Sequence, residues 1–208
     1  MKKKDKKRVK LQQELVEAVI PFDKLPPEIK ASTFEYIEFR RELSKESDRG
    51  CSLLAAAHLD DLLKQLLKKR LIGNKKHFEL LFAVTGPLGS FSSRTLLSYS
   101  IGLISSHTFH DIQKIRKIRN EFGHTKSIIT FESQKIKDLC DELKLTIADK
   151  ASTARDKFLN SVSGISGQLE AFISLSKTIK EKNNPDLEKR KEVYERMMTL
   201  INSELKKG

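Results

Sequence analysis

Apolar residues along the chain recur at helical spacing. Leu59, Leu62, Leu63, Leu66 and Leu67 repeat at three- and four-residue steps, which predicts a helix from Glu46 to Arg70 with one buried face. Ala55, Ala56 and Ala57 leave little side chain upstream, so a neighbouring backbone can approach there. A second stripe, Ile112, Ile115, Ile118 and Phe122, predicts a helix from about Asp111, and at about 100° per residue Arg119 projects into that arc between Ile112 and Ile115. Phe158, Val162, Ile165, Leu169, Phe172, Ser176 and Ile179 alternate four- and three-residue steps, the seam of a packed helix. Leu187, Tyr194, Met197, Met198, Ile201 and Leu205 form a last stripe.

The breaks between these stripes are clear. PFDKLPPEIK, from Pro21, is a proline-rich linker, and Ala31 to Leu43 reads as a helix carrying Phe34, Ile37 and Phe39. Ile72-Gly73-Asn74 precedes a short helix, His77 to Val84. The loop GPLGS (Gly86 to Ser90) leads into a helix capped by Ser90 or Ser92 and stopped at Gly102. Asn183-Asn184 end the seam helix, and Pro185 starts the next one. The expected architecture is all-α. A basic arm and linker occupy residues 1–30, one helical-bundle domain residues 31–148, and a C-terminal helical hairpin residues 149–208. The hairpin seam has three candidate partners: its own second helix, the main domain, or a second copy.

Composition supports that reading, with 38% hydrophobic and 33% charged residues and few turn formers. Of the net +12, +6 lies in residues 1–10, where Lys2, Lys3, Lys4, Lys6, Lys7 and Arg8 form an arm suited to nonspecific contact with nucleic acid or another polyanion. Cys51 and Cys140 are too few for a disulfide framework and fit a reducing, cytoplasmic setting. Cys51 reads as buried filler, or as a thiol whose pKa is lowered by its position near a helix start. No apolar run is long enough to span a membrane. Five histidines without CxxC or HExxH spacing offer no metal site, and no cofactor is expected.

The chemistry concentrates in IRKIRNEFGH, Ile115 to His124. A guanidinium on a core face must be paired or used. The structural reading pairs Arg119 with Asp60 or Asp61, or with Glu46 or Asp48. Arg49 and His58 complete a polar network, His58 standing within reach of Asp61, and His124 caps the helix end. The functional reading makes Arg119 and His124 a phosphate-handling pair. Residues 96–118 have roughly helix-turn-helix proportions, but the second helix offers Lys114 and Lys117 rather than a set of side chains suited to base edges.

Four blocks in order resemble the mannitol operon repressor family of bacterial regulators: ESDRGCSLLAAAHLDDLL (46–63), GPLGSFSSR (86–94), IGLI (101–104) and IRKIRNEFGH (115–124), followed by Phe131. The resemblance implies an all-helical, cytoplasmic, non-enzymatic regulator of sugar-alcohol uptake that acts through a protein partner or as a homodimer. It also implies no base-reading helix. The chain departs from the family where Gly123 replaces an expected Ala, and in the segment after Lys150. Separately, Arg119-Asn120-xxx-His124 resembles the RNxxxH signature of the HEPN superfamily. That resemblance implies a metal-independent ribonuclease in which His124 is the acid or base, Arg119 holds the phosphate and Asn120 orients them.

Overall fold

The computed structural model describes residues 37–124, 128–146 and 152–205, and among these it is all-helical. A helix over residues 37–45 (α1) precedes α2 (Asp48–Arg70), α3 (Lys75–Phe82), α4 (Phe91–Ser100), α5 (Ser106–His124), α6 (Gln134–Asp141), α7 (Ala154–Leu175) and α8 (Leu187–Leu205). Local sequence sets these boundaries. The Ser47 hydroxyl accepts from Gly50 N at the start of α2, and Asn74 accepts from His77 N at the start of α3. Ser90 and Ser93 form a reciprocal capping box on α4, and Thr153 and Asp156 form another on α7. Gly102, at φ 72°, turns the chain after α4 in a conformation that favours glycine. A Cβ at Gly86 or Gly89 would collide with the carbonyls of Leu80 or Ala83, so the GPLGS loop needs both glycines.

The chain divides into two units, residues 1–178 and 179–208. In the first, α2 and α5 form the centre. α2 packs against α4, α5 and α7, and α5 also touches α4, α6 and α7. Leu59, Leu63, Leu66, Ile112, Ile115, Ile118, Phe122, Phe158, Val162, Ile165 and Leu169 meet in one core with no exposed surface. Phe131 stacks obliquely between Phe122 and Phe158, with both centroid distances 5.2 Å.

The expected boundary after residue 148 is therefore moved. α7 belongs to the first unit, whose core buries its seam from Phe158 to Leu169, while Phe172 stays partly exposed. The helix also ends at Leu175, short of Ile179, because the next residues are tied to the end of α2. Arg70 donates to Lys177 O at 2.8 Å, and Thr178 Oγ1 donates to Lys69 O at 3.1 Å. Arg40 of α1 donates to Leu159 O and to the side chains of Asn160 and Ser163, fixing α1 along α7.

One buried charge organises this packing. On the helical wheel Asp111 falls between Ile118 and Phe122, inside the apolar arc, and it is fully buried. Its carboxylate accepts from Lys144 N (2.9 and 3.0 Å), Leu145 N (2.8 Å) and Ser161 Oγ (2.9 Å), joining α5 to the chain after α6 and to α7. No described helix is long and apolar enough to cross a membrane.

Asp111→Ala leaves two amides and a hydroxyl without their acceptor in a closed core. It should destabilise the protein by at least about 3 kcal/mol in urea denaturation, with Asp111→Asn intermediate because one carbonyl oxygen remains.

Candidate functional site

α5 carries the residues singled out for chemistry, and its start is fixed by Ser105, whose hydroxyl accepts from Thr108 N at 3.2 Å. Thr108 is buried and donates to Gln168 Oε1 at 2.9 Å, anchoring that end against α7. The arc of α5 that faces the core centres on Ile115, and Arg119 lies about 40° from it, near the edge marked by Ile112. Arg119 is half-buried, and among the described residues it has no carboxylate within salt-bridge distance. This corrects the expectation of a buried Arg119 paired with Asp60 or Asp61. A long side chain near the edge of an apolar arc can lay its stem on the surface and keep its head wet.

The buried arginine is Arg94 of α4, 7% exposed. Its Nε and Nη2 donate to the two oxygens of Asp60 at 2.7 and 2.6 Å, and its Nη1 donates to Leu88 O at 2.5 Å. The GPLGS loop is thereby locked to α2. Asp61 instead points outward and accepts from Gln65 at 2.7 Å. Asp48 pairs with Arg155 of α7 at 2.5 Å and accepts from Phe131 N at 2.9 Å. Glu46 contributes its backbone carbonyl, which accepts from Arg155 at 2.7 Å. Arg49 is exposed, and its carbonyl accepts from Ser52 Oγ at 3.0 Å. The expected single network around Arg119 is thus two separate ion pairs, Asp60 with Arg94 and Asp48 with Arg155.

The remaining candidates are spread over the surface. Asn120 is half-buried, and His124 is exposed on the last residue of α5. No hydrogen bond among the described residues joins Arg119, Asn120 and His124. Arg116, beside Arg119, has its pKa lowered by burial and by the neighbouring guanidinium, and it donates to Gln113. The lysines and arginine of the N-terminal arm, Lys2, Lys3, Lys4, Lys6, Lys7 and Arg8, lie outside the described residues. Both cysteines are buried, and burial pushes the Cys51 thiol up to about 11 and the Cys140 thiol up to about 12. That removes the reading of Cys51 as an activated thiol. No group of three or more His, Cys, Asp or Glu among the described residues is placed to hold a metal ion.

His58 takes part in the core rather than in a network with Arg119. Its ring stacks on Phe39 at 4.1 Å, and burial lowers its pKa below the ordinary 6.5, against a weaker upward pull from Asp61.

A second surface lies at α3 and the end of α4. Val84 is 95% exposed, Leu80 63% and Leu96 55%. Beside them, Leu71, Ile72, Leu81, Pro87 and Leu96 line an open groove of about 520 Å³. Lys68, Lys69 and Arg70 end α2 nearby, and Lys75 and Lys76 begin α3, with Glu79 the one acidic residue on α3. The ammonium groups of Lys64 and Lys68 sit 6.0 and 5.8 Å from the Phe82 ring centroid.

The family model described as mannitol repressor matches residues 49–164, more than half of the chain. The chain belongs to the mannitol repressor family. That match takes in the Asp60–Arg94 ion pair, Asp111, the exposed α3 surface and the first half of α7, begins one residue after Asp48, and leaves α8 outside. A solved structure, the X-ray structure of the MtlR-HPr complex from Escherichia coli, aligns at 21% identity and a TM-score of 0.48, covering 66% of this chain and 97% of that one. Among curated proteins, none matches the chain.

The two arginines should separate cleanly in urea denaturation. Arg94→Ala strands the Asp60 carboxylate and should cost about 3–5 kcal/mol, whereas Arg119→Ala should cost less than about 1 kcal/mol. For His58, a lowered folded pKa means that the unfolded chain takes up the proton first. Stability should therefore fall as the pH drops below about 6.5, and His58→Phe should flatten that part of the profile.

Proposed function

We propose that this chain is a non-enzymatic transcriptional regulator of the mannitol-repressor kind, cytoplasmic, and acting through a protein partner rather than by reading bases. Membership of the family supports the regulatory role. The observation that carries the mode of action is the enclosure of α5. A base-reading helix must present a face to the major groove. α5, the second helix of the helix-turn-helix-like stretch, is packed by α2, α4, α6 and α7, and its Lys114 is engaged by Glu142.

The α3 surface supports a protein partner. It combines large exposed apolar side chains with a lysine- and arginine-rich border, and such patches on folded domains mark interaction sites. Its charge suits a partner with an apolar centre and a carboxylate rim, which would also steer the encounter. Purified HPr, the protein held in the Escherichia coli complex, is the first partner to test by calorimetry.

A reporter under mannitol-operon control, in a host lacking its own repressor, tests the reading. The wild-type chain should repress it. The Leu80→Glu/Val84→Glu chain should lose repression with an unchanged melting temperature, because both positions are exposed. His124→Ala should repress normally, and purified protein should leave RNA intact. His124-dependent RNA cleavage would overturn the regulator in favour of the ribonuclease, and full repression by the doubly substituted chain would rule out the α3 surface.

A further inference from the structure

The second unit carries an apolar face with a charge pattern of its own. Pro185 precedes α8, and Asp186 caps it by accepting from Lys189 N at 3.0 Å. At about 100° per residue, Leu200, Val193, Met197, Ile201, Tyr194 and Leu187 share less than half the circumference, while Glu188, Glu192, Glu195 and Arg196 point away. Its apolar side chains are exposed among the described residues: Leu200 is 67% exposed, Val193 60%, Tyr194 57% and Met197 49%. Helices in proteins draw most of their stability from packing an amphipathic face, so a face of this kind calls for a cover.

Two charged residues stand inside that face, and they identify the cover. Arg190 and Glu204 lie about 20° to either side of Met197 on the wheel, each seven residues from it in opposite directions. In a parallel pair of α8 helices, Arg190 would face Arg190 and Glu204 would face Glu204. In an antiparallel pair centred on Met197, each Arg190 faces the other copy's Glu204, Tyr194 meets Leu200, and Val193 meets Ile201. The sequence of α8 is self-complementary about its midpoint in one direction only.

We propose that α8 is a dimerisation helix that pairs antiparallel with α8 of a second copy of this chain, with Met197 on the two-fold axis and two Arg190–Glu204 ion pairs at its ends. The pairing is isologous, as closed two-fold symmetry requires. A depression of about 500 Å³ beside Val193, Tyr194 and Met197 gives the partner's Leu200 and Ile201 a place to seat. The helix lies outside residues 49–164, so the device is separate from the family's matched region and from the regulatory reading above.

Sedimentation equilibrium of the full chain should show a monomer–dimer equilibrium. Arg190→Glu and Glu204→Arg should each weaken the dimer about tenfold or more, since each puts like charges together twice. The R190E/E204R chain should recover wild-type affinity, which a merely misfolded helix would not do. Direction is read by cross-linking. Met197→Cys should form a disulfide dimer readily, and Arg190→Cys should not, because its two copies would stand about 21 Å apart. Both native cysteines are buried and add little background. A wild-type chain that stays monomeric over a hundredfold concentration range would overturn the proposal. So would a charge swap that fails to restore pairing, or ready cross-linking through Arg190→Cys.

Discussion

The carboxylate of Asp111 holds the helical domain together in a way that apolar packing alone does not. A charge with no solvent exposure is tolerated only where donors surround it, and here they come from two separate parts of the chain, the Lys144–Leu145 turn and Ser161 of α7. α5 is thereby fixed in both rotation and register against α7 and the turn after α6. Its isoleucine face then lies on α2, and α4, α6 and α7 pack beside it. Hydrophobic surface would tolerate several sliding arrangements of these helices, whereas the geometry of the Asp111 hydrogen bonds permits few.

The two ion pairs extend the same logic outward. Arg94 and Asp60 fasten the GPLGS loop and α4 to α2, and Arg155 reaches from α7 to Asp48 and to two carbonyls at the α1–α2 junction. Each joins segments far apart in sequence. The surfaces left over are of two kinds. One is the basic-bordered apolar patch at α3, inside the family's matched region; the other is the self-complementary face of α8, outside it. The family scaffold and the added helix thus each present an apolar surface with charges of its own.

Helices, caps and fold class were legible because they are local. The leucine stripe of α2, the Ser90 cap and the stop at Gly102 depend on residues within a turn or two of one another, and the structure places all three as read, while α8 starts at Leu187 on an Asp186 cap, two residues after Pro185. The family was legible as well, since ordered sequence blocks are a property of the chain itself. The burial of Asp111 was also open to a sequence reading, because it falls between Ile118 and Phe122 on that arc.

What only the tertiary structure decided is which charge meets which, and what covers the seam of α7. Asp60 and Asp61 are neighbours in sequence, yet a helix turns them about 100° apart, so one meets Arg94 while the other faces water. The choice depended on where α4 docked, and nothing within α2 encodes that. The α7 seam was compatible with three partners because an apolar heptad specifies burial without naming its neighbour. The main domain took it, as Arg40 and Arg155 could pair only across that interface. Sequence fixes the faces that must be buried, and the assembled fold selects their partners, because long-range pairing depends on distances that no local pattern contains.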